Sequence, residues 1–236
     1  MNREYVAWVS PTLGRRMELL WFGHGGRPMI WFPTSKGRFY QNEDFGLVGA
    51  VGDWIDQGRL QICCVDSVDD ESFYATDRPP ADRIRRHDQY DRYVYSEVVP
   101  FVRAKGSTQA RIGTLGASFG AYHAVNFGLR HPDICDKVIG FSGKYDIHSF
   151  LDGYWDETCY FHCPTAYIPN MNGEFVAKLS RVGWVIATGE YDTLVQQNRD
   201  FSNLLWAKGI PNHSEFWGGA FGHDWPWWRE HLRRFV

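Results

Sequence analysis

The stretch Ala110-Arg111-Ile112-Gly113-Thr114-Leu115-Gly116-Ala117-Ser118-Phe119-Gly120-Ala121 constrains this chain more than any other. Apolar residues lead into a G-x-S-x-G pentapeptide, and residues 121–129 lead out of it with helical spacing. A strand that turns at once into a helix strains the backbone of its central residue and crowds the neighbouring side chains. Gly116 and Gly120, with Ala117 and Ala121, relieve that crowding. The turn would hold the Ser118 hydroxyl above the sheet edge and aim the Phe119 N–H at the position where an oxyanion forms. Small residues alone make a weak signal. The strand–turn–helix context is what marks a nucleophile elbow.

Before the elbow, residues 5–9 and 17–22 read as strands around Pro11-Thr12-Leu13-Gly14, and residues 28–32 as a third. His24-Gly25-Gly26 is expected to be the structural turn of a hairpin joining the second and third. Residues 47–58 carry a helical pattern, and 61–66 form a short buried strand whose Cys63 and Cys64 should face opposite sides. Residues 81–102 carry a long helical pattern interrupted by Pro100. After the elbow helix come strands at 137–143 and 182–189, a helix at 196–209 and a strand at 214–217. A closing helix at 225–235 has Pro226 in its first turn. An antiparallel start followed by alternating strands and helices implies a mostly parallel α/β sheet with helices on both faces. With the elbow after the third strand of the parallel part, the expectation is an α/β-hydrolase fold in a single domain, 1–236.

A net charge of -3 gives no electrostatic footprint for nucleic acid or an anionic membrane. No apolar run approaches the roughly 18–20 residues of a membrane span. The first residues, MNREYVAWVS, lack the pattern of a signal peptide. Five cysteines, two of them adjacent, argue against a disulfide framework, so a cytoplasmic location is expected. Cys159, His162 and Cys163 supply three ligands without the paired spacing of a zinc site, and no phosphate loop or dinucleotide fingerprint is present. No metal and no cofactor are therefore expected, and a homo-oligomer is left open.

A serine at its ordinary pKa is a poor nucleophile and needs a base, which in turn needs an orienting carboxylate. In this layout the chain order is serine, acid, histidine. His131, His148, His162, His213, His223 and His231 follow Ser118. His223 lies in Gly218-Gly219-Ala220-Phe221-Gly222-His223-Asp224, a flexible loop directly after the last strand, from which a base can reach the elbow. Asp192, just past the 182–189 strand, is the expected acid; Glu190 and Asp146 are the alternatives. Asp224 could serve as a helix cap. The Phe119 N–H is one oxyanion donor, and the loop after the third strand would supply the other from Thr34 or Ser35.

Residues 145–174 break the alternating pattern and are crowded with aromatics, in a chain that is already 17% aromatic with 11 tryptophans. A long irregular connection in a compact domain is usually a functional loop. This segment is expected to be a cap or pocket wall, with Trp155, Tyr160 and Tyr154 as substrate contacts.

Residues 116–124 leading to Leu129-Arg130-His131-Pro132, then Phe141-Ser142-Gly143 and Gly189-Glu190-Tyr191-Asp192, carry a wider likeness. It continues through Lys208-Gly209-Ile210-Pro211 and Gly222-His223-Asp224-Trp225-Pro226. Nearly the whole chain resembles the putative-esterase family of α/β-hydrolases, a group with S-formylglutathione hydrolases, mycolyltransferases and feruloyl or acetylxylan esterases. The resemblance implies a serine carboxylesterase acting on a small-molecule ester through an acyl-enzyme, with no metal and no cofactor. Pro33-Thr34-Ser35-Lys36 departs from the oxyanion loops of those subgroups. Two other outcomes stay open at this point: acyl transfer to an alcohol, if the 145–174 segment excludes water, and a catalytically silent binding protein of the same fold. The intact serine, acid and histidine argue against the second. An aryl ester, a sugar-linked ester and an apolar acyl chain would all suit the aromatic segment.

Overall fold

The computed structural model describes residues 1–106, 111–219 and 222–236. Ala110 of the elbow stretch, and Ala220 and Phe221 of the histidine loop, lie outside the described residues. Eight strands form one sheet: β1 (Arg3–Ser10), β2 (Arg15–Phe22), β3 (Arg27–Phe32), β4 (Leu60–Val65), β5 (Ile112–Ala117), β6 (Cys135–Phe141), β7 (Gly183–Gly189) and β8 (Asn212–Trp217). Their spatial order is β1-β2-β4-β3-β5-β6-β7-β8. β1 and β2 are antiparallel, β2 runs antiparallel to β4, and every later pairing is parallel. This is the α/β-hydrolase fold.

The longer helices are α1 (Pro80–Tyr93), α2 (Phe119–Arg130), α3 (Val195–Ala207) and α4 (Trp225–Leu232). Burial on both faces dictates the sheet: every residue of β4 and β5 is buried, as parallel strands between two helical layers require. Strand alternation sorts the core. Leu19, Trp21, Cys63 and Val65 face Tyr90, Tyr93, Val125, Phe127 and Phe201, under α1, α2 and α3. Leu20, Phe22, Ile62 and Cys64 face Val51, Ile55, Trp228 and Leu232, under α4 and the short helices before β4. The adjacent cysteines thus point to opposite faces, and both are free thiols. α1 runs on without a break through a π-helical turn, Val94–Val98, into the α-helical stretch Val99–Lys105, and Pro100 follows directly on that turn.

The expected hairpin between β2 and β3 is corrected: β4 lies between them. A fully buried strand needs partners on both edges, and β4 takes β2 on one and β3 on the other. Residues 23–26 still turn sharply, because they pass the start of β4. A Cβ on Gly26 would lie 2.1 Å from the Arg59 carbonyl carbon, and its φ of +86° suits glycine.

After β6 the chain forms short helices, among them Glu157–Phe161, Pro164–Tyr167 and Gly173–Leu179. Ile147, Leu151, Cys159 and Cys163 anchor this segment in a small cluster with Phe73, Ile84, Phe119 and Tyr122. Among the described residues no helix is long and apolar enough to cross a membrane.

Candidate active site

β5 ends at Ala117 and α2 begins at Phe119, so Ser118 alone makes the turn, with φ 56° and ψ −126°. That conformation costs a non-glycine residue on the order of 1–3 kcal/mol and persists only where the surroundings over-determine it. Here the Ser118 N–H donates to Phe141 O at 2.8 Å, and Ser118 O accepts the Ala121 N–H at 3.1 Å. A Cβ on Gly116 would lie 2.0 Å from Gly120 O, and one on Gly120 would lie 2.4 Å from Pro33 O. The two glycines therefore let α2 sit on its own strand and against the end of β3. Ser118 is half-buried. The Phe119 N–H, first in the helix, has no intrahelical acceptor and sits at the positive end of the α2 dipole.

The carboxyl ends of the strands after β5 are aligned: Ala117 pairs with Phe141, Phe141 with Ala187, and Gly189 with Trp217. At about 4.8 Å per strand, the ends of β5 and β7 are about 10 Å apart across β6. An imidazole can bridge that gap. His223, on the loop after β8, reaches back so that its Nδ1 lies 3.2 and 3.0 Å from Asp192 Oδ1 and Oδ2. The ring stands at 90° to Trp228, centroids 5.2 Å apart, and Trp228 Nε1 donates to Ser142 Oγ at 3.0 Å. Among the described residues His223 Nε2 makes no hydrogen bond, to Ser118 or to any other group.

The Asp192 carboxylate is buried and accepts the Leu194 N–H at 2.8 Å. Burial pushes its pKa up, but the hydrogen bonds from His223, the Leu194 N–H and the Ser142 hydroxyl outweigh burial and hold it below the ordinary carboxyl value. Glu190 is exposed, and among the described residues the carboxylate paired with His223 is that of Asp192. Asp146 is bonded to His148 and Thr165. Other histidines are committed elsewhere: His131 to Asp91, His162 to Asp88 and Asn126, and His231 stacked on Trp217. Asp224 caps α4, accepting the Trp225 N–H.

The loop after β3 is tied down at nearly every group. Thr34 N–H and Oγ1 both donate to Gln41 Oε1, at 2.8 and 3.0 Å. Lys36 N–H donates to Asp69 Oδ2 at 2.9 Å, and Tyr74 OH donates to Ser35 Oγ at 2.8 Å. Between them the Ser35 N–H makes no hydrogen bond among the described residues. Sequence reasoning missed Gln41, Asp69, Tyr74, Ser142 and Trp228. Ser142 carried a signal, since it follows the end of β6 at the same sheet edge; Asp69, Tyr74 and Trp228 owe their place to contacts distant in sequence, and Gln41 to a side chain that folds back on Thr34 seven residues before it.

Phe119 is walled by Phe73, Tyr74 and Phe150, with ring centroids 5.8, 5.4 and 5.2 Å away. Of the 145–174 aromatics it is Phe150, not Trp155 or Tyr160, that meets the elbow. Trp155 stacks on His148 at 4.1 Å, and Tyr154 OH donates to Asp156 at 2.7 Å. Tyr160 OH accepts from Asn170 at 3.0 Å, and its ring pairs with Phe161. Asn170 and Phe161 line a cavity of about 510 Å³ with Leu129, Arg130 and His131. That cavity lies at the far end of α2, about 18 Å along the axis from Ser118 at 1.5 Å per residue. Cys159, His162 and Cys163 do not converge; Cys163 Sγ instead lies within 4.8 Å of ligand atoms of Asp146 and His148, which are already hydrogen-bonded to each other.

The family described as Putative esterase matches residues 10–235. No curated protein matches the sequence. Among solved structures, a ferulic acid esterase is similar with a TM-score of 0.79 at 18% identity, covering 99% of this chain and 95% of its own. The S-formylglutathione hydrolase of Staphylococcus aureus has a TM-score of 0.70 at 16% identity, covering 99% and 97%. A ferulic acid esterase of the anaerobic fungus Anaeromyces mucronatus has a TM-score of 0.76 at 12% identity, covering 100% and 89%.

Proposed function

Because this chain belongs to the putative esterase family and is an ester hydrolase on that ground, we propose that it is a serine carboxylesterase working through an acyl-enzyme, with Ser118 as nucleophile, His223 as general base and Asp192 as its orienting acid. The observation that carries this reading is the pairing of Asp192 with His223 Nδ1 at 3.0 Å, at the same sheet edge as a serine held at φ 56°. With Nδ1 engaged, Nε2 is the nitrogen left to take the Ser118 proton, and a hydrogen bond absent without substrate is common in such sites.

Attack of Ser118 Oγ on the ester carbonyl moves the carbonyl electron pair onto oxygen. The Phe119 and Ser35 N–H groups would stabilise that oxyanion; Ser35 is favoured over Thr34 because the Thr34 N–H is spent on Gln41. The imidazolium at His223, stabilised by Asp192, returns its proton to the leaving alkoxide. It then takes a proton from the water that attacks the acyl-enzyme and gives it to Ser118 Oγ as the carboxylic acid leaves. A substrate group beside the reacting carbonyl would rest on the half-buried rings of Tyr74 and Phe150, which pack over the buried Phe119 and suit an aryl or other flat apolar group. Ser118→Ala tests the reading: labelling by a fluorophosphonate and turnover of p-nitrophenyl acetate should both vanish while the thermal transition is kept. Turnover retained in the folded variant would refute it.

A further inference from the structure

The proposed site needs two N–H donors from parts of the chain with no covalent reason to stay in step. Phe119 opens α2, and Ser35 belongs to the loop after β3. That loop is strained: Lys36, not a glycine, sits at φ 58°, a conformation that persists only when neighbouring groups hold it. Gly37 N–H closes the turn onto Thr34 O at 2.8 Å, and Ser67 Oγ donates to Gly37 O at 2.8 Å.

Asp69 joins the two parts. Its Oδ2 accepts the Lys36 N–H at 2.9 Å, and its Oδ1 lies 2.9 Å from Nε2 of His123, which projects from α2. Both side chains are buried, at 0% and 2% exposure, so water cannot substitute for either partner. The His123 ring is itself fixed, stacked on Phe32 at 5.8 Å and set edge-on to Phe119 at 4.9 Å and Tyr90 at 5.3 Å. Asp69 is anchored too, its carbonyl accepting the Tyr74 N–H at 3.0 Å while Tyr74 OH reaches Ser35.

We propose that Asp69 and His123 are positioning residues that set the separation of the two oxyanion donors, the Asp69 carboxylate holding the Ser35 turn in its strained form against the helix that carries Phe119. This rests on the serine-esterase reading above. Neither residue touches substrate; both act through the backbone they hold. Without the carboxylate, Lys36 can relax out of the left-handed region and carry the Ser35 N–H away from the oxyanion.

The test uses the full chain and p-nitrophenyl acetate. Ser118→Ala and fluorophosphonate labelling of the wild type come first: an inactive wild type or an active Ser118→Ala overturns the esterase reading itself. With that reading standing, Asp69→Ala and His123→Leu should lower kcat about 10–100-fold with KM changed less than about threefold. Complete loss of one oxyanion donor costs about 10²–10³ in kcat, so a displaced donor should cost part of that. Affinity for a trifluoromethyl ketone, which forms the oxyanion, should fall in step with kcat/KM. His123→Gln, whose amide can reach Asp69, should keep most of the activity. The proposal is overturned by a folded Asp69→Ala with kcat within twofold of wild type, or by ketone affinity that does not follow kcat/KM. Equal loss in His123→Gln and His123→Leu overturns it as well, and this pair decides the matter if Asp69→Ala does not fold.

Discussion

Gly120→Ala is a one-methyl test of how closely the elbow helix must approach β3. The added Cβ would lie 2.4 Å from Pro33 O, 2.9 Å from Phe32 O and 3.0 Å from the Pro33 carbonyl carbon. All are backbone atoms, so no side chain can swing aside. A carbon and a carbonyl oxygen rest at about 3.3 Å or more, so α2 and the end of β3 must separate by about 1 Å. That is the distance between the pieces carrying the two proposed oxyanion donors. An error of about 1 Å in a catalytic array can cost about 10²-fold, and overpacking a rigid site costs about 1–3 kcal/mol. In a chain of 236 residues that cost lowers Tm by about 2–12 °C. Esterase kinetics with p-nitrophenyl acetate and thermal unfolding, measured on Gly120→Ala and on Gly49→Ala, check both numbers. Gly49 has nothing within 4 Å of its virtual Cβ and should change neither quantity. A Gly120→Ala protein with wild-type kcat/KM and Tm would refute the reasoning, because the clash would then have been absorbed without moving the donors.

Asp192→Asn should lower kcat by roughly 10⁴-fold, the loss seen when a triad imidazole is held in the wrong tautomer, while Glu190→Gln should change it little; steady-state kinetics on both variants check the ranking. The pKa of Asp192 is depressed on folding, so the unfolded chain binds its proton first and the carboxylate contributes its full stability above the ordinary carboxyl range, near about 4. That contribution fades as pH falls from there through the depressed folded value, so the Tm gap between wild type and Asp192→Asn should shrink from pH 6 to pH 3. A gap independent of pH would contradict the assignment. Phe150→Ala should reorder kcat/KM among short, long and aryl esters by a few kcal/mol at most, the range of apolar pocket contacts. Tyr160→Ala should leave the order unchanged.

The elbow was legible because its strain is local: a residue at φ 56° between a strand and a helix demands small neighbours two positions away on each side, and the sequence displays them. The pairing of Asp192 with His223 was legible for a related reason, since strand ends put their loops at a common edge, and the two side chains meet there at 3.0 Å. What escaped reading is set by side-chain partners that no spacing rule links. Asp69 and His123 are 54 residues apart, and no spacing rule links a polar loop residue to one buried turn of a helix. The choice between Thr34 and Ser35 turns on the Gln41 side chain, which takes the Thr34 N–H.

The aromatic segment shows the limit most plainly. Its composition announces flat apolar surface but not the direction in which the chain carries it. Phe150 lies early in the segment, close behind β6, and stays at the catalytic edge beside Phe119. The chain then descends through Glu157–Phe161 and Pro164–Tyr167 along α2, so that Phe161 and Asn170 close over Leu129, Arg130 and His131 at the opposite edge. Tyr160 travels with them, bonded to Asn170. An aromatic ten residues further along is thus removed from the chemistry by most of the length of α2, and the governing variable is path, which side-chain type does not encode.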